Sequence, residues 1–317
     1  MRKIVGAGMI ALALLVAPFG LAAADPGATP ATIAPAGQAA FEKGLHKRTG
    51  DVAVPGTDAV LHLGTKYYFL DASEAKDVLV RLWGNPPSSV DDVLGLVLPA
   101  DKTVLDDSWG AVISWDDRGY VTDDDATSAD YNKVIDDIRA SEPDANAERQ
   151  KAGYPGQHVV GWAQPPSYDK GNHSLIWARD FKIDGTPVDS LNYDVRILGR
   201  KGVLSMNMLW TMPHLAEVRA AATDFGRVAT FNPGATYADY NSSTDKAAGY
   251  GLAGLVAAGV GIAVAKKIGL LALLLPFGKW ILIGLAAVGA AFRGFFAKLF
   301  GRKPANDGGG GNDAGIS

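Results

Sequence analysis

The chain has 317 residues, 48% of them hydrophobic and 20% charged, with 30 Lys+Arg against 34 Asp+Glu for a net charge of −4. That balance supports a folded core, argues against wholesale disorder and leaves no basic footprint for nucleic acid. The absence of cysteine excludes disulfide frameworks, zinc–thiolate sites, iron–sulfur clusters and thiol nucleophiles.

Residues 1–24 read as a secretory signal. Arg2 and Lys3 precede an apolar stretch, Ile4 to Leu21, and Ala22-Ala23-Ala24 offers small residues for cleavage before Asp25. Residues 25–40, rich in Ala, Pro, Thr and Gly, are expected to be a mobile leader.

Residues 41–246 are expected to form an exported α+β domain, a mostly antiparallel sheet with flanking helices on one side. Leu61–Leu70 is strand-like, and the Asp71-Ala72-Ser73-Glu74 start leads into helical spacing at Val78, Leu79, Leu82 and Trp83. Val93–Leu98 and Trp109–Trp115 read as strands, and Ser128–Ala140 as a helix with Tyr131, Val134, Ile135 and Ile138 on one face. Glu142–Arg149 is polar and fits a linker or helix end. His158–Ala163 reads as a strand stopped by Pro165-Pro166, and Leu175–Ile183 as its return. In Leu191–Leu198, Leu191, Tyr193, Val195 and Ile197 take one face and Asn192, Asp194 and Arg196 the other. Val203–Trp210 closes a hairpin, and Pro213–Phe225 is a helix with proline in its first turn.

Residues 247–303 are expected to be a membrane anchor with a basic interfacial end. Ala247–Ala265 is nineteen residues without a charge, long enough to cross hydrocarbon, and Lys266-Lys267 follows as a stop-transfer signal. Gly249, Ala253, Ala257, Gly261 and Ala265 recur every four residues, a stripe for close helix packing. A second apolar stretch, Ile268–Phe292, is interrupted by Pro276 and Lys279, which leaves one or two crossings open. Residues 304–317 are expected to be a disordered tail. The partners implied are membrane lipids and, through the stripe, a second copy or another membrane protein, at a bacterial cell membrane with the main domain on the extracytoplasmic side.

Chemistry is harder to find. The five histidines show no metal-ligand spacing, and no HExxH, GxSxG or phosphate loop occurs. Ser88–Ala145 carries a net −11, but its Asp runs lack the order of a calcium loop and read as a solvated acidic face. No cofactor or metal is expected. Trp162, Tyr168 and Trp177 could line an aromatic groove for a peptide or glycan, or belong to a Trp/Pro-packed sheet edge. Arg179, Arg196 and Arg200 could form an anion patch, or point outward separately. Trp162, Tyr168, Trp177, Arg196 and Arg200 are therefore the candidate interaction surface. The expected role is scaffolding, sensing or partner binding; the alternative is an envelope hydrolase using carboxylates such as Asp123 or Asp194.

Four motifs carry a resemblance: Gly119–Asp125 (GYVTDDD), Gly161–Tyr168 (GWAQPPSY), Leu191–Gly202 (LNYDVRILGRKG) and Phe231–Asn241 (FNPGATYADYN), with Ser243-Thr244-Asp245-Lys246 after them. In this order they resemble a bacterial family of predicted membrane-anchored proteins of unknown function, domain-of-unknown-function family 2167. The resemblance spans Phe41 to Lys303. It implies an exported domain and a C-terminal anchor, and brings no activity, cofactor or catalytic residue with it.

Overall fold

The computed structural model describes residues 32–258. In chain order these form α1 (Pro35–Lys43), β1 (Asp51–Ala53), β2 (Ala59–His62), β3 (Tyr67–Asp71), α2 (Ala72–Asp77, continued by a π turn over Val78–Leu82), β4 (Val93–Pro99), β5 (Gly110–Asp116), β6 (Tyr120–Thr122), α3 (Tyr131–Lys151), β7 (Gln157–Asp169), β8 (Ser174–Ile183), β9 (Ser190–Leu198), β10 (Val203–Thr211), α4 (Leu215–Val228), β11 (Ala229–Phe231), β12 (Ala247–Gly251) and α5 (Leu252–Ala258).

Seven strands make the central sheet in the order β3-β4-β5-β10-β9-β8-β7, each pair antiparallel. A small antiparallel sheet, β1-β2-β11, and a parallel pair, β12-β6, complete the strand set among the described residues. One face of the large sheet packs against α4 and the small sheet, through Ile113, Val195, Met206, Leu61 and Phe225. The other face carries helices too. Ala75, Val78 and Leu79 from α2 and its π turn meet Leu70, Leu96 and Val112 at one end. Val134, Ile135 and Ile138 from α3, with Leu255 and Val256 from α5, meet Trp177 and Phe181 at the other. Helices therefore lie on both sides of the sheet, not on one.

Two boundaries differ from the sequence reading for identifiable reasons. β7 runs straight through Pro165-Pro166, because it is the edge strand, where a missing N–H breaks no ladder, and its register shifts absorb the prolines. α3 continues past Ala140 to Lys151 with Pro143 inside it. Its polar second half serves the exposed edge of β7. Glu142 Oε1 accepts from the Val159 amide at 2.7 Å, Asn146 bonds both the amide and the carbonyl of Gln157, and Arg139 donates to the carbonyls of Val159 and Val160. A helix with little apolar surface is thus held by backbone groups that a sheet edge would otherwise leave open.

The expected transmembrane segment is corrected. No helix among the described residues is long and apolar enough to cross a membrane. Ala247–Gly251 is a strand paired with β6, and Leu252–Ala258 is a seven-residue helix with Leu252, Leu255, Val256, Ala257 and Ala258 buried in the domain. Of the small-residue stripe, Gly249 turns the chain at φ +80°, Ala257 is buried in the protein core, and Ala253 packs partly buried against it. Short apolar runs have the same composition whether their partner is lipid or a sheet face, and here the partner is the sheet. Gly261 and Ala265, with the rest of residues 259–303, lie outside the described residues, as do the tail 304–317 and the signal 1–24. Of residues 25–40, the structure describes 32–40, and Pro35 begins α1, in which Phe41 packs beside Arg81.

Candidate functional site

Four of the five predicted surface residues share one face of the sheet, but that face is covered. Three neighbouring rows of cross-strand pairs define it. The first runs Leu209, Asn192, Arg179, Trp162; the second Leu70, Leu96, Val112, Asn207, Asp194, Trp177; the third Ser114, Ser205, Arg196, Leu175, Tyr168. Directly opposed residues point to the same side, so the polar middle is flanked by apolar or aromatic ends, except at Ser114 and Ser205 in the third row.

That middle is an ion cluster. Arg179 Nη2 donates to Asp194 Oδ2 at 3.0 Å, and Arg196 Nη2 donates to Asp194 Oδ1 at 2.7 Å. Side-chain exposure is 2% for Arg179, 0% for Asp194 and 13% for Arg196, so Arg196 alone reaches solvent. The Arg196 guanidinium lies 5.4 Å from the centre of the Trp177 ring, and that of Arg179 5.2 Å from the Phe181 ring. Burial pulls the Arg179 guanidinium below its ordinary pKa while Asp194 opposes the shift. Trp177 and Arg196 thus belong to one site, together with Arg179 and Asp194, which the pattern of alternation alone places on an open face.

Trp162 and Tyr168 stand at the edges of this face. The Trp162 indole donates to the Tyr131 carbonyl at 3.3 Å and fastens β7 to α3. Tyr168 donates its hydroxyl to Asp123 Oδ2 at 3.0 Å and sits 3.0 Å from His173 Nδ1. His173 holds the left-handed turn of the β7–β8 hairpin at φ +48° and stacks on Tyr237 at 4.2 Å. Tyr120 stacks in turn on Tyr237 and Tyr240, at 4.5 and 3.8 Å. Burial, then the Asp123 carboxylate, pushes the Tyr168 phenol well above its ordinary range. Arg200 is elsewhere, in a bidentate bond to Asp245 at 2.7 and 3.0 Å that clamps the Gly234 loop.

Most aspartates of the acidic stretch are exposed, as a solvated face requires, but two of them bracket other parts of the chain. Asp116 takes a bidentate bond from Arg118 and accepts from the Tyr250 hydroxyl at 3.1 Å. Asp125 caps α5, its two oxygens accepting from the Leu252 and Ala253 amides at 2.8 and 3.0 Å. Composition carries no hint of these partners, which arrive from about 130 residues further along the chain. Among the described residues no group of three His, Asp or Glu is placed to hold a metal ion. A separate cavity of about 650 Å³ opens between Lys66, Tyr67, Lys102, Trp109 and Glu217.

A sheet covered on both faces, with a buried Arg–Asp–Arg cluster at its centre, defines the class of domain. The family model described as "Protein of unknown function (DUF2167)" matches residues 46–289, and the chain belongs to that family. No curated protein matches the sequence. Among solved structures the chain is similar to the solution structure of cyanobacterial PsbP (CyanoP) from Synechocystis sp. PCC 6803, with 10% identity and a TM-score of 0.33 over 59% of this chain and 92% of that one.

Proposed function

We propose that the protein is an exported domain that binds or scaffolds a partner and is not a hydrolase. The reading of export rests on the basic, apolar and small-residue order of residues 1–24. The observation that carries the non-catalytic reading is the burial of Asp194, one of the two candidate carboxylates. Asp194 has no exposed surface, and each of its oxygens holds a guanidinium. Asp123 accepts the Tyr168 hydroxyl. A general base must reach the proton it takes, and Asp194 does not reach solvent.

Two assays test this. Residues 1–31 fused to a β-lactamase that lacks its own signal should confer ampicillin resistance, and a sensitive strain would end the exported reading. The purified full chain should leave aryl esters, phosphates and glycosides uncleaved. Turnover that Asp123→Asn abolishes would establish the hydrolase instead.

A further inference from the structure

The last two family motifs, Phe231–Asn241 and Ser243–Lys246, meet at Asn241, and the proposed function uses neither. The sequence holds two Asn-x-Ser triplets, Asn172-His173-Ser174 and Asn241-Ser242-Ser243. Such a triplet is the acceptor motif for an N-linked glycan where it lies on the surface of an exported protein. The structure separates the two. Ser174 opens β8 and is 7% exposed, and the Asn172 amide nitrogen already donates to Asp169 Oδ2 at 2.7 Å. In the second triplet Asn241, Ser242 and Ser243 are all exposed, and so is Thr244 after them. Asn241 Oδ1 accepts from the Ser243 amide at 3.0 Å and from the Ser243 hydroxyl at 2.6 Å, so the two side chains that define the motif are already together. The Asn241 side-chain nitrogen, the atom a glycan joins, donates to nothing among the described residues. The turn is held from its other end, where Asp245 accepts the Asn241 backbone amide at 2.8 Å and is itself fixed by Arg200. Asp239, exposed and two residues before Asn241, also gives this triplet the acidic neighbour that bacterial oligosaccharyltransferases read; Asn172 has Lys170 in that place.

We propose that Asn241 is the acceptor of an N-linked glycan. The donor class is an oligosaccharide carried on a polyprenyl diphosphate. In the transfer Asn241 Nδ2 bonds to the anomeric carbon of the first sugar, and the bond from that carbon to the diphosphate oxygen breaks. One amide proton is lost and polyprenyl diphosphate leaves, with no oxidant or reductant consumed. An amide nitrogen is a poor nucleophile because its lone pair is shared with the carbonyl. The transferase therefore supplies the activation, and the chain supplies an acceptor it can reach. The inference rests on the exported reading, since these transferases act on the extracytoplasmic side of the membrane.

The test uses the full chain and separates this claim from export. Purified chain is incubated with a purified bacterial oligosaccharyltransferase and an undecaprenyl-diphosphate-linked oligosaccharide, beside an acceptor peptide as control. Intact mass and peptide mapping are the readouts, and no export step enters. We expect a mass increase of one glycan, mapped to Asn241. Asn241→Gln and Ser243→Ala should each abolish it, Ser243→Thr should keep it, and Asn172→Gln should leave it unchanged. Chain recovered from its own cells without residues 1–24 should carry a glycan at the same residue. A wild-type chain left unmodified while the control peptide reacts, a glycan at Asn172 in its place, or a bare Asn241 on chain that has lost residues 1–24 would overturn the proposal. Chain that keeps residues 1–24 in its cells but takes the glycan in the purified reaction counts against the exported reading and leaves the acceptor assignment standing.

Discussion

The two faces of the central sheet are made by the same strands and solve burial differently. On the face toward α4, one row of paired residues reads Phe69, Val97, Ala111, Met208, Tyr193, Ala178, all apolar or aromatic and at most 1% exposed. One residue along each strand, the opposite face reads Leu70, Leu96, Val112, Asn207, Asp194, Trp177. The first row is held by apolar transfer and close packing. The second interrupts its apolar ends with a charge cluster whose desolvation offsets much of its Coulomb attraction.

The strongest way to break this comparison is at Asp194. Asp194→Ala leaves two guanidiniums buried without their shared anion and should destabilise the domain by about 3–5 kcal/mol in urea unfolding. Met208→Ala, on the apolar face, should cost about 2–5 kcal/mol by a different route, through lost transfer energy and a cavity. Replacing the whole cluster with Arg179→Met, Asp194→Leu and Arg196→Met sharpens the contrast. This variant should be neutral or more stable by about 1–4 kcal/mol. A large loss of stability would show instead that the cluster is structural.

Smaller effects mark how the last described segment is tied down. Asp125→Ala removes the acceptor of two backbone amides at the start of α5 and should cost about 1–2 kcal/mol. Hydrogen exchange should show the loss first in the amides of Leu252–Ala258, and an unchanged pattern there would detach α5 from the acidic bracket. The smallest effect is electrostatic. The Arg200 guanidinium, with the Asn241 amide, holds the Asp245 carboxyl down at about 2. A lowered folded-state pKa means the bond contributes above the ordinary carboxylate pKa and is lost as pH falls through that value toward 2. Carboxyl NMR should place the Asp245 midpoint there, and Arg200→Gln should return it toward the ordinary range.

Much of the strand placement was legible locally. The alternation of Leu191–Leu198 separates the two faces, the Gly199–Gly202 turn joins β9 to β10, Val93–Leu98 falls one residue short of the end of β4, and Trp109–Trp115 is offset from β5 by one residue. These elements announce themselves because period-two hydrophobicity is a property of neighbouring residues. The candidate site was half legible. Trp177 and Arg196 stood out by residue type, but Asp194 looked like one of several outward polar groups.

What the sequence alone determined is a set of local propensities: an antiparallel hairpin framework, a signal-like start, an apolar stretch after Lys246 and the family motifs. Only the tertiary structure decided what each of these faces. Asn192 and Asp194 are buried, and Arg196 mostly so, because α3 and α5 cover a face that alternation would leave to water. Leu252–Ala258 is core because Asp125 and the Trp177 face receive it. Burial depends on what arrives from elsewhere in the chain. The same apolar run or the same aspartate therefore reads alike at the level of composition, and it differs only once its partner is in place.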